Sequence, residues 1–153
     1  MNLVDLFFSL DARIGRAKFW LGTVILAVVS FAATYAIIAL VGLSQAAVAF
    51  AAAVALALAY PSYAVCAKRF QDRDKPGVLA LVGFVPVYAV NLLYTFGVFD
   101  PVASSAVAQG LDLITAGIFL WFLVELGLLK GTLGPNRYGP DPLGGLQADA
   151  KLG

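Results

Sequence analysis

The chain has 153 residues, 61% of them hydrophobic and 12% charged, and its mean hydropathy is +0.91; one small soluble core cannot hide that much apolar surface, and lipid is the natural solvent for the excess. Ten Lys and Arg against nine Asp and Glu leave a net charge of +1, so no overall basic field draws nucleic acid. With no histidine and one cysteine, Cys66, imidazole acid/base catalysis, Cys/His zinc sites, c-type haem attachment and an intrachain disulfide are excluded.

In residues 1–11, Leu3, Leu6, Phe7 and Leu10 share a helical face while Asp5, Ser9 and Asp11 lie elsewhere. The segment is either an interfacial amphipathic helix or, being short, a frayed and weakly adsorbed terminus. Residues 1–18 thus form an interfacial lead-in, and Phe19 and Trp20 mark the headgroup level. The apolar run that follows exceeds the roughly 7–15 residues of a signal-peptide core, so the first span is expected to be retained.

No residue from Phe19 to Ala67 is charged, enough for two crossings of about 20 residues each. Gly42-Leu43-Ser44-Gln45 is the best break, which predicts spans over 19–41 and 46–67 in a tight hairpin. In the second, Ala49, Ala53 and Ala57 form one stripe and Ala51, Ala55 and Ala59 another. Such spacing lets backbones approach closely in lipid, or merely reflects alanine-rich composition. Residues 68–77 bring six charges and the Pro76-Gly77 turn signal, and read as a connecting loop. A third span is predicted over 78–99, with Pro86 bending it and Tyr88 and Asn91 needing polar partners at membrane depth. Residues 100–112 are polar and small, with Asp100, Ser104, Ser105, Gln109, Gly110 and Asp112, and a shorter fourth span is predicted over 113–129. From Lys130 onward Gly131, Gly134, Pro135, Gly139, Pro140, Pro142, Gly144 and Gly145 exclude a regular helix. The expected fold is all-α: a single integral membrane domain over 1–153, with four transmembrane helices and a Gly/Pro-rich tail at 130–153.

Orientation follows from the cations. Arg13, Arg16 and Lys18, then Lys68, Arg69, Arg73 and Lys75, then Lys130, Arg137 and Lys151 all fall on one side, whereas the opposite loops hold only Asp100 and Asp112. By the positive-inside rule both termini are expected in the cytoplasm.

No phosphate-binding loop, nucleophile elbow, metalloprotease helix or dinucleotide fingerprint occurs. No catalytic, cofactor or metal residue is therefore assigned. Glu125 is the one ionisable residue within a predicted span. It either pairs at the interface with Arg69, Lys68 or Arg16, or handles a proton or cation. The basic loop either anchors topology or joins a phospholipid site in which Arg13, Arg16 and Arg69 fork onto phosphate while Asp72 orients a guanidinium. Backbone donors around Gly134, Asn136 and Gly139 either belong to that site or only form turns.

Three segments carry a resemblance: Arg13-Ile14-Gly15-Arg16-Ala17-Lys18-Phe19-Trp20, Ala67-Lys68-Arg69-Phe70-Gln71-Asp72-Arg73, and Gly131-Thr132-Leu133-Gly134-Pro135-Asn136-Arg137-Tyr138-Gly139-Pro140-Asp141-Pro142. Together, and the last most specifically, they resemble the bacterial inner-membrane family catalogued as domain of unknown function 805, YhaH-like. The resemblance spans nearly the whole chain. It implies a small, multi-pass inner-membrane protein and transfers no biochemical activity. The family's middle motif commonly reads Arg-Arg-Leu-His-Asp followed by Gly-Trp; here Gln71 replaces the histidine and Val78 follows Gly77. The stretch 96–124 looks like an insertion relative to typical members, supplying the extra helix.

All three motifs lie at one predicted membrane boundary, where Arg13, Arg16, Arg69, Asp72, Asn136, Arg137 and Tyr138 would close the bundle as a polar cap and seat a lipid phosphate or partner. The first functional expectation is a non-enzymatic accessory or assembly subunit, or a lipid-interacting scaffold. Its partners would be membrane lipids, other membrane subunits or a second copy, with no cofactor. The alternative is a small transporter or channel in which a homo-oligomer lines a path with Glu125, Asn91 and Tyr88. A third class, a lipid enzyme with Asp72 as acid/base and Arg69 or Arg137 on phosphate, lacks a recognisable nucleophile.

Overall fold

A computed structural model describes residues 2–99 and 105–144. Met1, Asp100, Ser104, Gly145, Lys151 and the remainder of the tail beyond 144 lie outside the described residues. Five α-helices follow in order, and the described residues contain no strand.

The first helix, α1 (Leu3–Phe8), is opened by a reciprocal cap in which Asp5 N donates to Asn2 Oδ1 at 2.7 Å and Asn2 N to Asp5 Oδ2 at 3.3 Å. Six residues do not hold a helix alone; tertiary contacts do. Leu6 is buried, and Lys68 Nζ donates to the carbonyls of Asp5 at 2.5 Å and Leu6 at 2.6 Å, near the negative end of the helix. Of the expected apolar face, Leu6 and Phe7 join the core, whereas Leu3 is exposed and Leu10 lies past the helix.

Two long helices follow, α2 (Arg16–Val41) and α3 (Gln45–Asp72), of 26 and 28 residues. At about 1.5 Å per residue each exceeds the roughly 30 Å of a bilayer's hydrocarbon core. The break falls at the anticipated tetrapeptide: Gly42 takes φ 69°, and the Ser44 side chain caps α3 through Ala47 N. The two helices pack tightly at Gly22, where a Cβ would stand 3.2 Å from Val65. Of the alanine stripes, Ala51, Ala55 and Ala59 are half-buried and Ala49, Ala53 and Ala57 are exposed. The expected 68–77 loop is corrected: Lys68 to Asp72 continue α3, because no breaker occurs before Pro76-Gly77 and the buried charges have partners. Pro61 sits inside α3, leaving the Ala57 carbonyl without its helical donor.

The third and fourth expected spans have other bounds in the structure. Helix α4 (Leu79–Thr95) has 17 residues and stops short of 99, because Gly97 turns left-handed at φ 70°. Gly97 N then donates to Tyr94 O and Val98 N to Leu93 O, a Schellman closure. Helix α5 (Ala106–Phe122) starts well before Leu113, capped by Ser105 through Ala108 N, and a π-helical turn (Leu123–Leu128) extends it. Among the described residues three helices are long and apolar enough to cross a membrane, Arg16–Val41, Gln45–Asp72 and Ala106–Leu128, and α4 is a shorter apolar helix. Asp112, expected in a loop, lies within α5 and accepts from Tyr94 Oη at 2.9 Å.

Burial is concentrated at one end. Leu6, Ile14, Phe19, Val65, Phe70, Ala80 and Leu126 form the core, extended by rings of Phe70, Phe122 and Phe84 in contact. Away from it the helices present Val28, Phe31, Leu40 and Phe119 outward. A soluble chain would not leave such faces uncovered; we read the protein as a membrane protein.

Candidate functional site

At the end of α3 the chain buries a carboxylate between two guanidinium groups. Asp72 is 3% exposed. Its Oδ1 accepts from Arg13 Nε at 3.2 Å, and its Oδ2 from Arg69 Nη1. The side chains of both arginines are fully buried. Their remaining donors go to carbonyls: Arg13 Nη1 to Gly134 and Nη2 to Thr132, each at 2.7 Å, and Arg69 Nε to Leu126 at 2.7 Å and Nη2 to Leu129 at 2.5 Å. Buried charge is tolerated only with such full satisfaction. The knot ties together the segment before α2, the end of α3, the π turn and the Gly-rich segment.

Asp72's main chain is equally engaged. Its carbonyl accepts from Thr132 N at 2.8 Å and Thr132 Oγ1 at 3.0 Å. Asn136 Nδ2 donates to Gln71 O and Thr132 Oγ1, both at 2.9 Å. Asn136 and Gly139 exchange a pair of backbone hydrogen bonds, possible because Gly139 takes φ 131°. Gly131 lies flat against the Asp72 carboxylate, leaving no room for a Cβ. Arg137 pairs with Asp74 at 3.2 Å and lies 4.9 Å from the Tyr138 ring centroid, on the exposed rim. Of the seven expected cap residues, Arg13, Arg69, Asp72 and Asn136 meet in the knot; Arg16, Arg137 and Tyr138 stand around it.

Asp141 anchors the last described turn by accepting from Gly134 N at 3.0 Å and Leu143 N at 2.9 Å. The Leu143 and Gly134 N–H groups, helped by the nearby Arg13 charge, hold its carboxyl below the usual carboxylate range. A depressed folded value stabilises the turn above the pH where this carboxylate titrates in the unfolded chain, and that contribution disappears as pH falls through the folded value. Limited proteolysis from about pH 6 down to about pH 2 is expected to show the turn opening in acid. In Asp141→Asn the turn should be equally open across that range.

Glu125 does not pair as expected with Arg69, Lys68 or Arg16. It accepts from Arg73 Nε at 2.7 Å and Lys75 Nζ at 2.5 Å. The π turn shifts the register of its side chain relative to a regular helix, aiming Glu125 beyond the end of α3 while Leu126 O faces Arg69. Nor is it the lone ionisable group in a span, since Lys68, Arg69 and Asp72 lie in α3 and Asp112 in α5. Lys75 is open to water, so Glu125→Gln is expected to cost only about 1–2 kcal/mol, seen as a small drop in thermal midpoint in detergent with an unchanged elution profile. Tyr88 Oη donates to Ala55 O at 3.0 Å and Asn91 Nδ2 to Val87 O at 3.3 Å, both away from the knot.

At the rim, Arg16 makes one hydrogen bond, Nη1 to Leu128 O at 3.2 Å. The side chains of Lys18 and Lys130 have no hydrogen bond or ion pair with any described residue. Trp20 Nε1 donates to Gly127 O at 3.2 Å, and two clefts of about 230 and 720 Å³ open here, both bordered by Arg16 and Leu143. Among the described residues no three Cys, Asp or Glu side chains converge as a metal site.

A family described as Protein of unknown function (DUF805) matches residues 7–140. The chain belongs to this family. It is similar to a protein called Uncharacterized protein YiiR from Escherichia coli (strain K12), 30% identical over 142 residues, which cover 92% of this chain and 90% of the relative. The protein of that name from Escherichia coli O157:H7 matches with the same figures. No solved structure matches the chain. The DUF805 match takes in the whole Arg13–Asp72–Arg69 knot, and the three segments that carry the resemblance come together in space to build it. At Gln71, the position where the resemblance implies a histidine, Oε1 is buried with no hydrogen-bond partner among the described residues. Sequence reasoning missed Gly131, Thr132 and Lys68 as parts of the cap. Their contributions are space, backbone carbonyls and an unexpected helical turn; the one legible hint was the density of small residues after Lys130.

Proposed function

We propose that this DUF805 chain is a non-enzymatic protein of the bacterial inner membrane, with its basic end in the cytoplasm, acting as a lipid-interacting scaffold or accessory subunit for a larger membrane complex. One observation carries the reading: the knot spends its arginines on Asp72 and backbone carbonyls, while Arg16, Lys18 and Lys130 stay without an acidic partner among the described residues, beside Trp20 and two clefts. Cations at that level attract anionic headgroups with about 1 kcal/mol each, and an indole there suits the headgroup zone. The one-sided distribution of cations supports the cytoplasmic orientation. The non-enzymatic reading is supported by Asp72 and Glu125, the buried carboxylates, being locked into ion pairs rather than poised for proton transfer.

The test is native mass spectrometry of the purified chain with phosphatidylglycerol or phosphatidylcholine. Phosphatidylglycerol should be retained preferentially, and Arg16→Gln, Lys18→Gln and Lys130→Gln should each weaken retention about fivefold. Equal retention of both lipids contradicts the lipid reading. Co-purification of a stoichiometric second protein from mild detergent supports the accessory role, and a pure homo-oligomer counts against it.

A further inference from the structure

Away from the charged end, α2, α3, α4 and α5 surround a cavity of about 460 Å³, within the roughly 300–1,000 Å³ typical of small-molecule sites. Most of its wall is apolar, including Leu26, Leu58, Phe84, Val87, Ile118 and Phe122, and no charged side chain among the described residues lines it. Ala27, Asn91 and Phe119 on its border are exposed, so it opens sideways toward lipid.

The hydroxyl groups facing this space distinguish it from a packing gap. Serine and threonine in apolar helices usually return their proton to a carbonyl of their own helix. Thr115, also in the lining, does so to Leu111 O at 2.9 Å. Thr23 and Ser30 of α2 and Ser62 of α3 do not: they line the cavity and make no hydrogen bond with any described residue. Hydrocarbon offers no partner for these donors, and leaving each unsatisfied is costly. The tail of an ordinary phospholipid would fill the volume and leave them unpaired; an ionised headgroup would find no countercharge.

We propose that this cavity binds one neutral amphiphile from the membrane, a molecule with an apolar chain and a single uncharged hydrogen-bonding end such as an alcohol, held by the Ser30 and Ser62 hydroxyls; Thr23, seven residues or about 10 Å from Ser30 along α2, lies beyond the reach of that same end. The proposal stands apart from the lipid-headgroup reading, since it uses no cation and lies elsewhere in the bundle.

Photolabelling with a diazirine-bearing long-chain alcohol, read by peptide mass spectrometry on the full chain in detergent, tests it. Labelling should saturate, fall on segments around Ser30, Ser62 and Val87, and be displaced by the unlabelled alcohol but not by an alkane or a carboxylate of equal length. Ser30→Ala with Ser62→Ala should weaken labelling about tenfold or more. The head-group comparison uses the unaltered protein, so it holds even if that variant folds poorly. Unsaturable labelling spread over outward positions such as Val28 and Phe31, or equal displacement by the alkane, overturns the proposal.

Discussion

Asp72→Ala is expected to remove about 3–5 kcal/mol of stability, the usual result of stripping one partner from a buried charge cluster. Two fully buried guanidinium groups would then face each other with no anion between them. The carbonyls of Thr132, Gly134, Leu126 and Leu129 still accept their outer donors, but carbonyl dipoles do not replace a carboxylate. Asp72→Asn should be nearly as damaging, because its amide donors meet guanidinium donors. Replacing the trio together, as Arg13→Met, Arg69→Met and Asp72→Leu, is expected to recover much of the loss, since an apolar core at this place needs no countercharge. Thermal unfolding in detergent, followed by Trp20 and Trp121 fluorescence, ranks the variants; a change within about 0.5 kcal/mol for Asp72→Ala would mean the carboxylate is an ordinary surface charge.

Gly131→Ala is expected to cost about 2–4 kcal/mol for a steric reason. The added methyl would occupy the space of the Asp72 carboxylate, which cannot swing aside without leaving Arg13 or Arg69. Gly134→Ala is the informative contrast. Its Cβ would meet nothing within 4 Å, but the position has φ +73°, so only the left-handed backbone penalty of about 1–2 kcal/mol applies. In an Asp72→Ala background, Gly131→Ala should add little, because the obstacle is gone. Full additivity there would place the cost of Gly131→Ala somewhere other than the carboxylate.

The apolar runs made α2, α3 and their hinge legible, since Gly42-Leu43-Ser44 is the one interruption in an otherwise uncharged stretch. The same reliance on hydropathy failed at helix ends. Lys68 to Asp72 are charged, yet they continue α3 because the fold buries them against carbonyls from distant segments. Residues Ala106 to Asp112 are small and polar but helix-compatible, and Ser105 caps them. At α4 the chain stops at a left-handed Gly97 that apolar counting ignores. Within the site, Arg13, Arg69, Asp72 and Asn136 could be grouped from polar motifs at one boundary. The partners of Glu125 could not, because a π turn alters which side of the helix faces α3.

One carboxylate, that of Asp72, fastens the segment before α2 to the end of α3 and to the Gly-rich turn. A double-mutant cycle with Arg13→Ala and Asp72→Ala, measured by thermal unfolding in detergent, tests it most directly. The double variant is expected to lose less than the two single losses combined, by about 1–3 kcal/mol; additivity to within about 0.5 kcal/mol would mean that Arg13 and Asp72 are not coupled.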